Sequence, residues 1–166
     1  SDLSLIKTIP LEPGPRGNEH YDPAEPRVLS DGKTVLISTF FCGLYRIADI
    51  ESDDPSAEGV YSFSFNEKYD CAMPVVNGEY WIQTIASKSA LVSLDISDPT
   101  KPKKVDELKF QKGEWPHWIS LEPNRRRIII TGNNRLKNKL LIVNFDQKTG
   151  ELSIDENFRD KRTGEL

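Results

Sequence analysis

One pattern occurs three times along the chain, and it restricts the possible folds more than any single residue does. Each copy begins with a tight-turn signal and continues as a β-prone run, and the copies lie at 31–39, 77–85 and 124–132. A second strand-like run follows each copy, at 43–47, 90–96 and 139–145. The spacings of 46 and 47 residues between copies are typical of propeller blades, whose short strands repeat at such periods.

The repeats predict an all-β fold, namely a β-propeller segment of about three four-stranded antiparallel blades plus one extra N-terminal strand. We name the strands of a blade A to D from the centre outward. The predicted divisions are an outer strand of a preceding blade at 1–11, a first blade with a long entry loop at 12–66, a second blade at 67–111, a third blade at 112–158 and a tail at 159–166.

Turn signals and apolar runs give approximate bounds for the strands of each blade. Strand A is expected at 27–29, 73–76 and 117–121, and strand B at 34–40, 80–85 and 127–131. Strand C is expected at 44–48, 91–96 and 140–145, and strand D at 59–65, 104–110 and 151–154.

Composition excludes several classes of protein. The 166 residues suffice for one domain, and 22 basic against 26 acidic residues give a net charge of −4, which does not favour a nucleic-acid partner. With no run of 18 apolar residues we expect no membrane span and a soluble chain, while its compartment stays open. Each blade buries its apolar face on a neighbour. The end blades are therefore expected to be covered by the rest of a propeller or by another copy of the chain.

Two segments resemble known families. The run from Ala90 to Pro99, with Lys101 and Pro102 after it, resembles the bacterial propeller repeat named for its Leu-Val-Ile-Val-Asp strand. The run from Lys139 to Phe158 is similar to the C-terminal region of selenium-binding proteins, a family that includes the methanethiol oxidases. The resemblance covers about the last 80 residues. It implies a single-chain, mostly seven-bladed propeller and, in some members, a copper-dependent thiol oxidase activity that depends on several histidines.

Ligands of propellers usually bind where the D-to-A and B-to-C loops open onto one face, because side chains from every blade converge there. The residues expected at this channel mouth from the D-to-A loops are Glu19, His20, Tyr21, Asp22, Glu25, Tyr69, Asp70, Cys71, Glu114, Trp115 and His117. The B-to-C loops are expected to add Phe41, Cys42, Ser87, Lys88, Asn133, Asn134 and Arg135.

A metal site is one hypothesis for this face. Counting back six residues from each turn signal reaches Glu25, Cys71 and Trp118, with His117 one residue further out. A carboxylate, a thiol and an imidazole can bind a transition metal such as copper together. His20, Cys71 and His117 are the candidate ligands. The alternative interpretation is that these histidines are packed or hydrogen-bonded side chains without a metal.

The two cysteines of the chain, Cys42 and Cys71, are expected on the same side of adjacent blades. A disulfide would need Cα atoms within about 7 Å of each other. The alternative is two buried free thiols that behave as small hydrophobic side chains.

Three functions follow from these observations. The first is a propeller segment that binds a small molecule, a metal or a protein at the channel mouth. The second is a metal-dependent oxidoreductase that acts on a small sulfur compound, with His20, His117 and Cys71 near the metal. The third is a structural module whose open blade edges recruit a partner.

Overall fold

The computed structural model describes Leu5 and residues 7–63, 71–132 and 139–164. These residues form twelve strands and contain no helix. The first sheet contains β1 (Pro23–Val28), β2 (Val35–Thr39), β3 (Gly43–Ala48) and β4 (Ser56–Ser62). The second contains β5 (Cys71–Asn77), β6 (Tyr80–Ile85), β7 (Ala90–Asp95) and β8 (Lys103–Lys109). The third contains β9 (Pro116–Leu121), β10 (Arg127–Gly132), β11 (Leu140–Phe145) and β12 (Leu152–Ile154).

All three sheets pair their four strands antiparallel and in chain order, so each is a simple meander. The predicted all-β fold of about three four-stranded blades is therefore confirmed. The largest differences from the predicted bounds are in β1 and β4. β1 begins at Pro23 rather than at residue 27, and β4 occupies Ser56–Ser62 rather than 59–65.

The extra N-terminal strand is not formed in the part of it that the structure describes. Leu5 and residues 7–11 belong to no strand, and residues 1–4 and 6 lie outside the described residues. A strand needs a neighbour for its ladder of hydrogen bonds. This segment instead uses a side chain, since the ammonium of Lys7 forms an ion pair with Asp54 and donates to the Pro55 carbonyl.

The loops between the A and B strands differ in length from sheet to sheet. In the second sheet Asn77 pairs directly with Tyr80, which leaves a two-residue loop. That loop contains Gly78, whose φ of 61° lies in the left-handed region that glycine adopts without strain. The first and third loops have four residues, 30–33 and 123–126, closed by hydrogen bonds between Leu29 and Thr34 and between Glu122 and Arg127.

The chain divides into two compact units. The first unit comprises Ser1–Tyr69 and Asp98–Pro102 and contains the first sheet. The second comprises Asp70–Ser97 and Lys103–Leu166 and contains the second and third sheets. No helix of the described residues is long and apolar enough to cross a membrane.

The second unit is held together by the packing of its two sheets on each other. Ile82 and Leu91 of the second sheet and Ile128, Ile130 and Val143 of the third belong to one cluster, and all five have no exposed surface. Complete burial of each such side chain contributes about 1.5–3 kcal/mol. Polar contacts between the sheets fix their register, since the Ser93 hydroxyl donates to the Gly150 carbonyl over 2.7 Å.

The first unit packs its own apolar residues around the middle strands of its sheet. Leu36 and Leu44 have no exposed surface, and Tyr45 is 2% exposed. Gly43 of β3 must lack a side chain, because a Cβ there would lie 2.7 Å from the carbonyl oxygen of Glu19. The entry loop therefore lies directly on β3.

Candidate functional site

In the first unit, the entry loop and the loop between β2 and β3 lie together. The ring of Tyr21 lies edge-on to the ring of Phe41, with 5.4 Å between the ring centroids. The ring centroids of His20 and Tyr21 are 4.1 Å apart. The backbone joins the same two loops, because Phe40 N–H donates to the Asp22 carbonyl over 3.0 Å. The structure thus brings Glu19, His20, Tyr21 and Asp22 together with Phe41.

Glu19 is the anchor of this loop. Its side chain is 1% exposed, and its carboxylate accepts hydrogen bonds from the backbone and the guanidinium of Arg16, from Asn18 N–H and from the Ser62 hydroxyl, at 2.9–3.2 Å. Its carbonyl accepts from the Thr39 hydroxyl. With so many donors on its two oxygens, Glu19 holds the loop in shape rather than facing a ligand.

The pKa of Glu19 agrees with this structural role. Burial raises the pKa, but hydrogen bonds from backbone N–H groups, from Ser62 and from Arg16 outweigh it and lower the pKa to about 2. The carboxylate is ionised at neutral pH and does not release or take up a proton there. Glu19 is therefore unsuited to general acid or base catalysis.

Beside this loop the first unit has a cleft of about 680 Å³, a volume in the range of ligand sites. Pro13, Tyr45, Val60 and Tyr61 are among the residues that line it. The Tyr45 hydroxyl donates to the Glu12 carbonyl over 2.8 Å. Burial, and secondarily the charge of Glu19, raise the pKa of Tyr45 to about 12, so this hydroxyl remains a donor.

The second unit brings together another part of the predicted mouth, on the third sheet. The carboxylate of Glu114 and the ammonium of Lys139 form an ion pair of 2.9 Å, with 12% and 23% of the two side chains exposed. Trp115 is half exposed, and its backbone lies against Gly132 at the end of β10. Lys139 was not predicted as a site residue, because the sequence gives no signal that the B-to-C loop returns to Glu114.

His117 lies on β9 within this group. Its carbonyl accepts a hydrogen bond of 3.3 Å from the Thr84 hydroxyl of the second sheet. Its Nδ1 is buried and finds no hydrogen-bond partner among the described residues, and the same holds for Nδ1 of His20 in the first unit. A buried nitrogen that lacks a partner is uncommon and indicates a position for a ligand, a proton or a water molecule.

The predicted equivalence of Glu25, Cys71 and Trp118 is wrong. Strand pairing aligns Pro23, Cys71 and Pro116, which pair with the equivalent residues Thr39, Ile85 and Gly132. The error arises because the first and third A-to-B loops are two residues longer than the second. Glu25 itself forms an ion pair of 2.7 Å with Arg27.

A β-bulge interrupts each A strand at this end of the sheet. The register shifts lie between Ala24 and Arg27, between Cys71 and Pro74, and beside Thr131 and Gly132 opposite β9. Bulges redirect side chains next to binding sites. Sequence spacing could not locate them, because a bulge changes the pairing without changing the apolar pattern.

Both cysteines are disulfide-bonded, and no described cysteine is a free thiol. As a disulfide sulfur, Cys71 offers no thiolate to a metal, which leaves His20 in the first unit and His117 in the second as separate candidate ligands. The described residues contain no group of three or more His, Cys, Asp or Glu side chains that could hold a metal ion. Tyr69, Asp70, Asn133, Asn134 and Arg135 lie outside the described residues.

Comparison with known proteins supports the fold. No family model and no curated protein matches the chain. Among solved structures, a hypothetical selenium-binding protein from Sulfolobus tokodaii aligns with a TM-score of 0.68 and 15% identity over 81% of this chain and 40% of its own. The periplasmic gluconolactonase of Pseudomonas aeruginosa aligns with a TM-score of 0.64 and 13% identity over 80% of this chain and 38% of its own.

A protein from Lactobacillus plantarum aligns with a TM-score of 0.68 and 12% identity over 80% of this chain and 40% of its own. At such low identities these likenesses show a propeller fold alone. The chain spans about 40% of the length of the solved structures that it matches.

We predict that Glu19→Gln destabilises the chain by about 1–3 kcal/mol at pH 7, because an ionised acceptor of four donors is lost. The wild-type carboxylate has a folded pKa of about 2 against 4.5 when unperturbed. Its contribution is therefore fully present above pH 4.5 and is lost as the pH falls towards 2. Urea unfolding of the wild type and of Glu19→Gln measures their difference in free energy of unfolding at pH 7 and near pH 2.5.

The matched control is Glu12→Gln, which removes the same charge from an exposed residue of the same loop. We expect its stability to stay within about 0.5 kcal/mol of wild type. A Glu19→Gln penalty that is absent at pH 7, or that grows on acidification, would contradict the anchor role.

We also predict that titration of the denatured, unreduced protein detects no thiol, and that reduction releases two. A chain that runs as a monomer on a non-reducing gel would assign the bond to Cys42 and Cys71 of one molecule. Two thiols before reduction would show that the bridge is not formed.

Proposed function

We propose that the chain is a propeller segment that binds a small polyhydroxylated molecule at the loop-bearing end of its third sheet. The observation that carries this proposal is Trp115, a half-exposed indole beside an ion pair and a buried imidazole nitrogen that lacks a partner. An indole face offers a flat apolar surface, while neighbouring polar groups fix the orientation of a ligand.

The charges of the site support a ligand rich in hydroxyl groups. The charges of Glu114 and Lys139 cancel, so this ion pair does not favour a charged ligand. Both still have lone pairs or protons free for a hydroxyl group. The buried Nδ1 of His117, which finds no partner among the described residues, adds a third polar atom. Sugar-derived acids and lactones combine an apolar ring face with several hydroxyls, and the structural neighbour from Pseudomonas aeruginosa is a periplasmic gluconolactonase.

The test is a titration with D-gluconate and with D-glucono-1,5-lactone, followed by tryptophan fluorescence. We expect saturable binding of at least one probe at millimolar concentrations and a weakening of about tenfold in Trp115→Ala, since an aromatic contact contributes about 1.5 kcal/mol. Tyr21→Ala removes an equally exposed aromatic ring from the entry loop of the first unit. It serves as the control and should bind as wild type does.

Absence of saturable binding of both probes would contradict the proposed ligand class. Equal weakening by Trp115→Ala and Tyr21→Ala would contradict a site on the third sheet.

The second candidate function is a copper-dependent oxidase of a small thiol. It is favoured by one observation, the buried Nδ1 atoms of His20 and His117 that lack hydrogen-bond partners. Imidazole is a common copper ligand, so each of the two histidines could contribute to a copper site within its own unit. When bound, the copper would supply the electron transfer of the oxidation.

Elemental analysis after copper supplementation tests this candidate. We expect stoichiometric copper in the wild type, and its loss in His117→Ala but not in the exposed control Lys88→Ala, if the oxidase hypothesis is correct. No bound metal after supplementation would remove it.

A further inference from the structure

The two partners of the ion pair beside Trp115 are buried to different extents. Glu114 Oε1 and Lys139 Nζ are 2.9 Å apart, while 12% of the Glu114 side chain and 23% of the Lys139 side chain are exposed. Water screens a charge less as the charged group becomes more buried. The carboxylate of Glu114 is therefore screened less than the ammonium of Lys139, and the pair leaves a weakly negative potential around it.

This inequality determines how the pair acts on a charged ligand. A ligand carboxylate that enters the site gives up part of its hydration, and only an opposite charge or hydrogen-bond donors offset that cost. Lys139 attracts the carboxylate, but Glu114 repels it from 2.9 Å away and is the less screened of the two. A sugar acid therefore gains no net electrostatic attraction from the pair.

An uncharged sugar ring meets none of this repulsion. Its hydroxyl groups can donate to the carboxylate of Glu114 and accept from the ammonium of Lys139 while the ion pair stays intact. Its apolar face can pack on the indole of Trp115, which is 50% exposed and follows Glu114 directly in the chain. The site thus offers an apolar surface and both kinds of hydrogen-bonding group to a neutral ring.

We propose that Glu114 determines the specificity of this site, so that the site binds uncharged sugar rings in preference to sugar acids. The inference rests on the proposed function, because it concerns the ligand class of the same site. Without the carboxylate of Glu114, Lys139 would present an unpaired ammonium. A sugar acid would then bind through a charge-assisted hydrogen bond between its carboxylate and that ammonium.

Two matched probes separate charge from shape. Methyl β-D-glucopyranoside is an uncharged ring, and methyl β-D-glucopyranosiduronate is the same ring with a carboxylate in place of the hydroxymethyl group. Titration at pH 7 and low salt, followed by tryptophan fluorescence, measures both dissociation constants. We expect the wild type to bind the glucoside at least about threefold more tightly than the glucuronoside.

The deciding variant is Glu114→Gln, which keeps the size and the hydrogen-bonding capacity of the side chain but removes its charge. We expect this variant to bind the glucuronoside about tenfold more tightly than the wild type does, because Lys139 loses its partner. Its affinity for the glucoside should stay within about twofold of the wild-type value. The preference of the site is thereby reversed.

The matched control is Glu107→Gln. Glu107 forms an ion pair of 3.1 Å with Lys104 on β8, so this variant breaks a similar pair and changes the net charge of the chain equally. We expect both affinities to match those of the wild type. An equal gain in glucuronoside affinity in this control would show that net charge alone causes the gain, and would overturn the proposal.

Circular dichroism verifies that each variant is folded. If Glu114→Gln does not fold, Lys139→Gln replaces it. This variant should weaken binding of the glucuronoside at least about threefold, because Glu114 then repels the carboxylate unopposed, and should leave the glucoside within about twofold.

The possible outcomes separate this inference from the proposed function. A wild type that prefers the glucuronoside, or a Glu114→Gln variant with an unchanged preference, would overturn the role of Glu114 and leave the proposed function intact. Binding of gluconate or its lactone without binding of either glycoside would do the same. If none of these probes binds, the proposed function fails and this inference fails with it.

Discussion

The burial of one sheet against the next is the interaction on which the structure of the second unit depends. A four-stranded meander leaves an apolar face open to solvent, and covering that face supplies the free energy of apolar burial. Ile82 and Leu91 gain that burial from Ile128, Ile130 and Val143 of the third sheet. The hydroxyls of Ser93 and Thr84 then fix how the two sheets align.

The loops that carry the predicted site residues are each stabilised in their own way. In the first unit the ionised carboxylate of Glu19 organises the entry loop, and its low pKa removes it from acid–base chemistry. On the third sheet the pair of Glu114 and Lys139 holds the loop beside Trp115. The Glu19 carboxylate is thus fully hydrogen-bonded, whereas Nδ1 of His20 in the first unit and Nδ1 of His117 on the third sheet find no partner among the described residues.

The sequence predicted the three four-stranded sheets and the order of their strands, because a repeated turn and apolar run reports the same local structure each time, but it also predicted an N-terminal strand that the described residues do not form. It also placed Glu19, His20 and Tyr21 in one loop beside Phe41. It could not align the A strands. The first and third A-to-B loops are two residues longer than the second, so the positions equivalent to Cys71 are Pro23 and Pro116. Nor could it distinguish the saturated carboxylate of Glu19 from a ligand-binding one, because its donors include backbone N–H groups and the distant Ser62.

A double-mutant cycle between Ile82→Ala and Ile130→Ala measures the packing of the second sheet on the third most directly. Both side chains have no exposed surface and belong to one cluster, although each lies in a different sheet. If the sheets stabilise each other as described, the free energies of unfolding of the two single variants and the double variant should reveal a coupling of about 0.5–3 kcal/mol. Strictly additive losses would contradict a shared core and with it the stacking of equivalent sheets.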